Sequence, residues 1–116
     1  MKVMIEYNRS LVLANVRQCF PDEDPENVMA LLDLYGIESY EQERERVQIA
    51  IIKLSQGDLD NLRENVKAAK NDFRDVLAYA EYPEEMKKET WKMTDQEETS
   101  RIRERDRKQY LDWLNR

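Results

Sequence analysis

Apolar residues recur along most of this chain at three- and four-residue intervals, the period of helices buried on one side. Leu11, Val12, Val16, Cys19 and Phe20 give the apolar side of a first helix over 9–20. Before it, Val3, Ile5 and Tyr7 alternate as in a short strand, yet no second strand is evident to pair with, so the reading over 1–7 favours helix. Pro21 to Pro25 is a break. Asp24 is placed to cap a second helix over 25–35, with Pro25 at its first position, and Gly36 stops it.

Ser39 with Gln42 fits a capping box and predicts a third helix from 39 to Gly57. Its first turns are charged on nearly all sides. Its second half is apolar on two, through Val47, Ala50, Ile51 and Leu54 and through Ile49 and Ile52. Asp58 caps a fourth helix that runs to about Glu81, where Pro83 follows. Leu59, Leu62, Val66, Ala69, Phe73, Val76 and Ala80 keep a 3-4 spacing throughout it. The Gln56-Gly57-Asp58 turn is short enough to force an antiparallel hairpin. Its predicted core is Val47, Ile51, Leu54, Leu62, Val66, Phe73 and Leu77.

Beyond Tyr82 the pattern changes. Residues 84–93 read as a linker, with one helical turn at most. Thr94 with Glu97 forms another capping box, opening a last helix over 94–114 with few apolar positions. The expected fold is all-α: a small helical bundle built on a long antiparallel αα-hairpin, with a C-terminal helical tail. It divides into a core domain (1–83), a linker (84–93) and a C-terminal helix (94–116).

Composition supports helices and removes several chemistries. Only two Gly and three Pro occur, too few for the turns of a sheet protein. There is no histidine, so the commonest general base and most transition-metal sites are absent. Glycine occurs only at 36 and 57, so no phosphate-binding glycine loop can be written, and no cofactor is expected. Cys19 is the single cysteine. It cannot form an intramolecular disulfide, which suits a reducing compartment and hence the cytoplasm, and it reads as a packed core thiol with Arg17 as its neighbouring cation. The longest apolar run is five residues, 28–32, far short of a membrane span, and the start of the chain lacks a signal-like core.

Carboxylates are the remaining catalytic material. Glu41 and Glu45 are one turn apart on the predicted third helix, and Asp72 and Asp75 are three apart on the fourth. Four acids on adjacent antiparallel helices offer the oxygen ligands that Mg²⁺ prefers. In this respect the chain resembles the all-helical nucleotide pyrophosphohydrolases, which use paired Glu and Asp on neighbouring helices. The resemblance implies a small Mg-dependent enzyme, but the doubled Glu-Glu-x-x-Glu element of that family is missing here. The bland alternative is a solvated face, because Arg44, Arg46, Lys70 and Arg74 flank these acids.

Net charge is −6, which does not favour nucleic acid across the whole surface. Residues 101–108 nevertheless hold five basic and two acidic side chains. Arg101, Arg105 and Lys108 share a helical side that can meet phosphates, with Tyr110 or Trp113 to stack on bases. Alternating charge of this kind more often marks a salt-bridged surface. The aromatic residues of the poorly patterned C-terminal part suggest contact with protein instead. Trp91, Ile102, Tyr110, Trp113 and Leu114 are the candidate partner-binding residues, either in a homodimer or against another protein, or else they pin the tail to its own body. The favoured expectation is a non-catalytic helical module for protein–protein interaction or regulation, with no membrane role.

Overall fold

The computed structural model describes residues 5–116. Six α-helices follow one another, with no strand among the described residues: α1 (Arg9–Cys19), α2 (Pro25–Leu32), α3 (Arg44–Ser55), α4 (Leu59–Glu81), α5 (Pro83–Lys88) and α6 (Gln96–Leu114). A single 3-10 turn, Thr90–Lys92, separates the last two. The expected segment 1–7 lies partly outside the described residues; residues 5–8 are not helical.

Side-chain caps fix most helix starts. Asn8 accepts from the Leu11 N–H, Asp24 from Glu26, Asp58 from Asp60 and Asn61, and Asp95 from Glu97 and Glu98. The last helix therefore starts from Asp95 and not from the Thr94–Glu97 box. Gly57 has φ +77° and follows Gln56 at φ +51°, so the turn of the hairpin takes two successive left-handed residues. The α3–α4 hairpin is the most extensive helix pair; α1 packs on α3 and α2 on α4. The core is dry where they meet: Val12, Val16, Leu32, Ile51 and Leu62 have no exposed surface.

Several expectations need correction, the second helix among them, which ends at Leu32 and not at 35. The third helix begins at Arg44, five residues later than the Ser39 box suggests, because residues 39–43 turn under the influence of contacts described below. The fourth helix is not continuous. Asp72 is extended (φ −155°, ψ 101°), and its side chain accepts from the Arg74 N–H at 3.1 Å, acting as an N-cap for the second half. Of the predicted hairpin core, Val47, Ile51, Leu62, Val66 and Leu77 are buried, but Leu54 and Phe73 are only partly so. Phe73 directly follows the break.

The tail is folded against the body. Residues 83–88, within and just before the stretch read as a linker, form α5, which lies against α6 and α4. Ile102 and Tyr110 are buried, and Trp113 and Leu114 pack on the core as half-buried residues. Asp106, in the middle of the charged run, is also buried: its carboxylate accepts from the backbone N–H of Glu84 and of Glu85, both at 2.9 Å. Cys19 is half-buried, and its nearest cation is Arg116, whose Nη2 lies 2.9 Å from Sγ, rather than Arg17.

Candidate functional site

The α2–α3 connection is short of apolar cover yet firmly held. Tyr35 is fully buried and its hydroxyl donates to the Gln42 carbonyl at 2.6 Å; burial, with the nearby Glu41 carboxylate, pushes this phenol up to about 12. Gln48 of α3 is buried and donates to the carbonyls of Leu32 (3.0 Å) and Tyr35 (3.2 Å), tying α3 to the turn that follows α2. Asp33 takes both Arg9 and Arg44.

Glu41 is the centre of the connection. One carboxylate oxygen accepts from the N–H groups of Gly36 (2.9 Å), Ile37 (3.1 Å) and Glu38 (3.4 Å). The other accepts from Lys70 Nζ at 2.8 Å, and Lys70 also donates to the Leu34 carbonyl. The side chain lies just beneath the surface, shielded from solvent. Burial pushes its carboxyl up, but the Lys70 ammonium and the three N–H groups outweigh that and hold it at about 2. A backbone folded inward on a carboxylate turns its side chains outward. Leu34 is 50% exposed, Ile37 68% and Tyr40 63%. A shallow cleft lies between Tyr40 and the α4 break, lined also by Lys70, Asp72, Phe73 and Arg74.

Comparison of the chain with family models, with curated proteins and with solved structures gives no match. Its site must therefore be read from its own geometry.

The residues singled out in the sequence are dispersed. Glu41 stands in a loop and not on a helix. Glu41 and Asp72 border the same shallow cleft, whereas Glu45 lies on the side of Arg9 and Asp75 is exposed beside Arg74. Glu41 is committed to Lys70 and three amides, Asp72 to Arg74. No group of three acids or thiols among the described residues is arranged to hold a metal ion. Each basic candidate on α6 has an acidic neighbour: Arg101 meets Glu97 at 3.5 Å, Lys108 meets Asp112 at 3.9 Å, and Arg105 grips both oxygens of Glu84. Of the candidate partner-binding residues, Trp91 alone is well exposed, at 62%. Tyr110 stacks on Trp113 with centroids 6.0 Å apart, and the Arg116 guanidinium covers the Trp113 ring at 4.1 Å. No helix among the described residues is long and apolar enough to cross a membrane.

Sequence reasoning passed over Leu34, Ile37 and Tyr40. The available signal was an apolar residue on each side of Gly36, in a stretch whose helical period had already ended.

Proposed function

We propose that this chain is a non-catalytic, cytoplasmic protein-interaction module that grips its partner through the 34–40 loop. The supporting observation is the Glu41 clamp: a shielded carboxylate and Lys70 hold in one shape a loop whose three large apolar side chains face solvent. Ordering a loop before binding removes an entropic cost from association, so a preformed loop binds more tightly than a mobile one with the same side chains. Large aromatic and aliphatic side chains on a fixed backbone are the usual anchors of a protein interface.

The partner that fits is an apolar segment of another protein carrying Lys or Arg at its edges. Glu38 sits between Ile37 and Tyr40 with no cation partner among the described residues. The nearby cations, Arg44, Lys70 and Arg74, are already paired with acids of this chain. With a net charge of −6, a second copy meets like charge, whereas a basic segment is drawn in.

The test is photo-crosslinking from position 37 in the native host, followed by sequencing of the attached peptide. A basic, apolar segment whose capture is lost in Tyr40→Ser, with the melting temperature unchanged, supports the reading. Attachment to another copy of this chain would replace it with a homodimer. Capture that is indifferent to Tyr40→Ser but lost in Trp91→Ser would move the interface to the tail.

A further inference from the structure

A groove of about 710 Å³ lies between α1 and α2 and reaches Asp33, the residue before Leu34. Arg9, Leu13 and Arg17 form its α1 wall, one helical turn apart. Glu26, Ala30 and Asp33 form the α2 wall, with Pro25 and Met29 beside them. Each wall carries charge at both ends and an apolar residue between. The Arg9 guanidinium fixes the register, donating from Nη1 and Nη2 to the two oxygens of Asp33 at 2.9 and 2.7 Å. Because the two helices are joined by a short turn and run in opposite directions, Leu13 then comes level with Ala30, and Arg17 with Glu26.

The two ends differ. At one, Arg9 and Arg44 together neutralise Asp33. At the other, Asp22, Glu23, Asp24 and Glu26 are all exposed and form no ion pair among the described residues, and Arg17 is the single base of the lining there. Between the ends, Ala30 is exposed and Leu13 and Pro25 are half-buried, so apolar surface is left without cover. The groove thus joins an uncovered apolar middle to an acidic end that this chain does not balance.

We infer that the partner of the 34–40 loop continues along this groove as a basic amphipathic helix, an inference that rests on the reading of the loop given above. Two helices side by side accept a third along their junction, its apolar residues at helical spacing set into the groove. The α1 wall is about 12 Å long, so about two to three turns of the guest fill it. Its apolar face covers Leu13, Pro25 and Ala30, and a Lys or Arg at one end meets Glu26 and Asp24. At the other end the guest leaves beside Asp33, where the chain itself leads on to Leu34, the first of the exposed loop side chains. Charge selects this occupant. An acidic helix would meet the four acids of 22–26. A second copy would bring the same acids with it, while Arg101, Arg103, Arg105 and Lys108 of its α6 are already engaged by its own carboxylates.

Three short peptides test this, each titrated into the full ¹⁵N-labelled chain and followed by amide chemical shifts. One carries Leu on a single helical face and Lys elsewhere, one replaces its Lys by Glu, and one shuffles the Leu/Lys sequence so that no apolar face forms. Saturable shifts are expected with the first alone, at residues 9–17 and 24–33 and onward into 34–40. Ala30→Arg places a cation at the exposed middle of the groove and should weaken that peptide roughly tenfold with the melting temperature unchanged, and Glu26→Gln should weaken it roughly two- to fivefold. Equal binding of the Glu or shuffled peptide, or undiminished affinity in Ala30→Arg, overturns the proposal. Shifts confined to 34–40 overturn it while leaving the loop reading intact. Shifts confined to 9–17 and 24–33, indifferent to Tyr40→Ser, keep a basic helix in the groove and remove the loop from the interface. Shifts at 9–17 that depend on protein concentration without any peptide would give the groove to a second copy, and no saturation anywhere overturns groove and loop together for a basic apolar partner.

Discussion

Asp106 of α6 caps α5 from outside: its Oδ1 accepts from the Glu84 N–H at 2.9 Å, across 22 residues of sequence. The second oxygen takes the Glu85 N–H at the same distance. Two open donors at the start of a six-residue helix are thereby satisfied, and the helix dipole meets a negative charge. On either side, Arg105 pairs with Glu84 and Arg103 with Glu85. The alternating charges of α6 thus serve its own chain as a seam along α5.

Asp106→Ala should accordingly lower stability by about 1–3 kcal/mol, since it leaves two partly buried N–H groups unpaired. Asp106→Asn, which keeps one acceptor oxygen, should lose less. Urea unfolding gives the ranking, and hydrogen exchange should show the amides of 84 and 85 losing protection first. An Ala variant as stable as the parent would mean that α5 does not depend on this cap.

Acid should release the loop. The Glu41 carboxyl is held at about 2 against an ordinary value of 4.5, so the folded state binds its proton less readily than the unfolded chain does. Its contribution is complete above about pH 4.5 and fades as the pH falls towards 2. Asp33, drawn from 3.8 to about 2 chiefly by its hydrogen bond to Arg9, fades over a similar interval. Glu41→Gln removes the first component. Its melting temperature should lie below the parent's at pH 7 and converge on it between pH 4.5 and 2. A gap that stays constant over that interval would show that Glu41 titrates normally.

How much of this could be read in the sequence follows from the range of the contacts. Asp24-Pro25 and Asp58 announce α2 and α4 because a cap acts within three residues of itself, and the hairpin follows from a turn too short for anything else. The start of α3 was hidden because the Ser39–Gln42 signal is local and its competitors are not. Glu41 is drawn to Lys70 on another helix, and Tyr35 captures the Gln42 carbonyl. The cap on α5 comes from Asp106, which the sequence shows only as an acid among bases. The break at Asp72 had a local hint in Asn71-Asp72, two residues that favour caps over helix interiors. The regular apolar spacing around them masked it.

Gly57 should resist substitution unequally. With φ at +77°, Val is strained by its branched Cβ, while Asn visits the left-handed region more readily. Any Cβ there also comes to 3.0 Å from the Cys19 carbonyl oxygen, so Gly57→Asn should not be silent. The expected order in thermal melting is Gly, then Asn, then Val. Equal melting of the two variants would remove the positive φ as the reason for Gly57.

The break at Asp72 makes a last prediction about where the hairpin's stability resides. A continuous 3-4 stripe treats Leu62 and Phe73 as equivalent core positions. In the folded chain they differ: Leu62, in the unbroken first half of α4, has no exposed surface, while Phe73 follows the extended residue and packs on the core with only part of its ring. Truncating a fully buried leucine removes its transfer energy and leaves a cavity, so Leu62→Ala should cost about 2–5 kcal/mol. At Phe73 the ring already meets solvent and the space it leaves is open to water, so little cavity term arises. Phe73→Ala should therefore cost on the order of 1–2 kcal/mol, despite removing the larger side chain. Asp72→Ala isolates the break itself: it deletes the cap on the Arg74 N–H and should cost about 0.5–2 kcal/mol. Urea midpoints of the three variants decide the matter. A Phe73→Ala loss equal to that of Leu62→Ala would mean that α4 runs straight in solution, with Phe73 turned fully into the core.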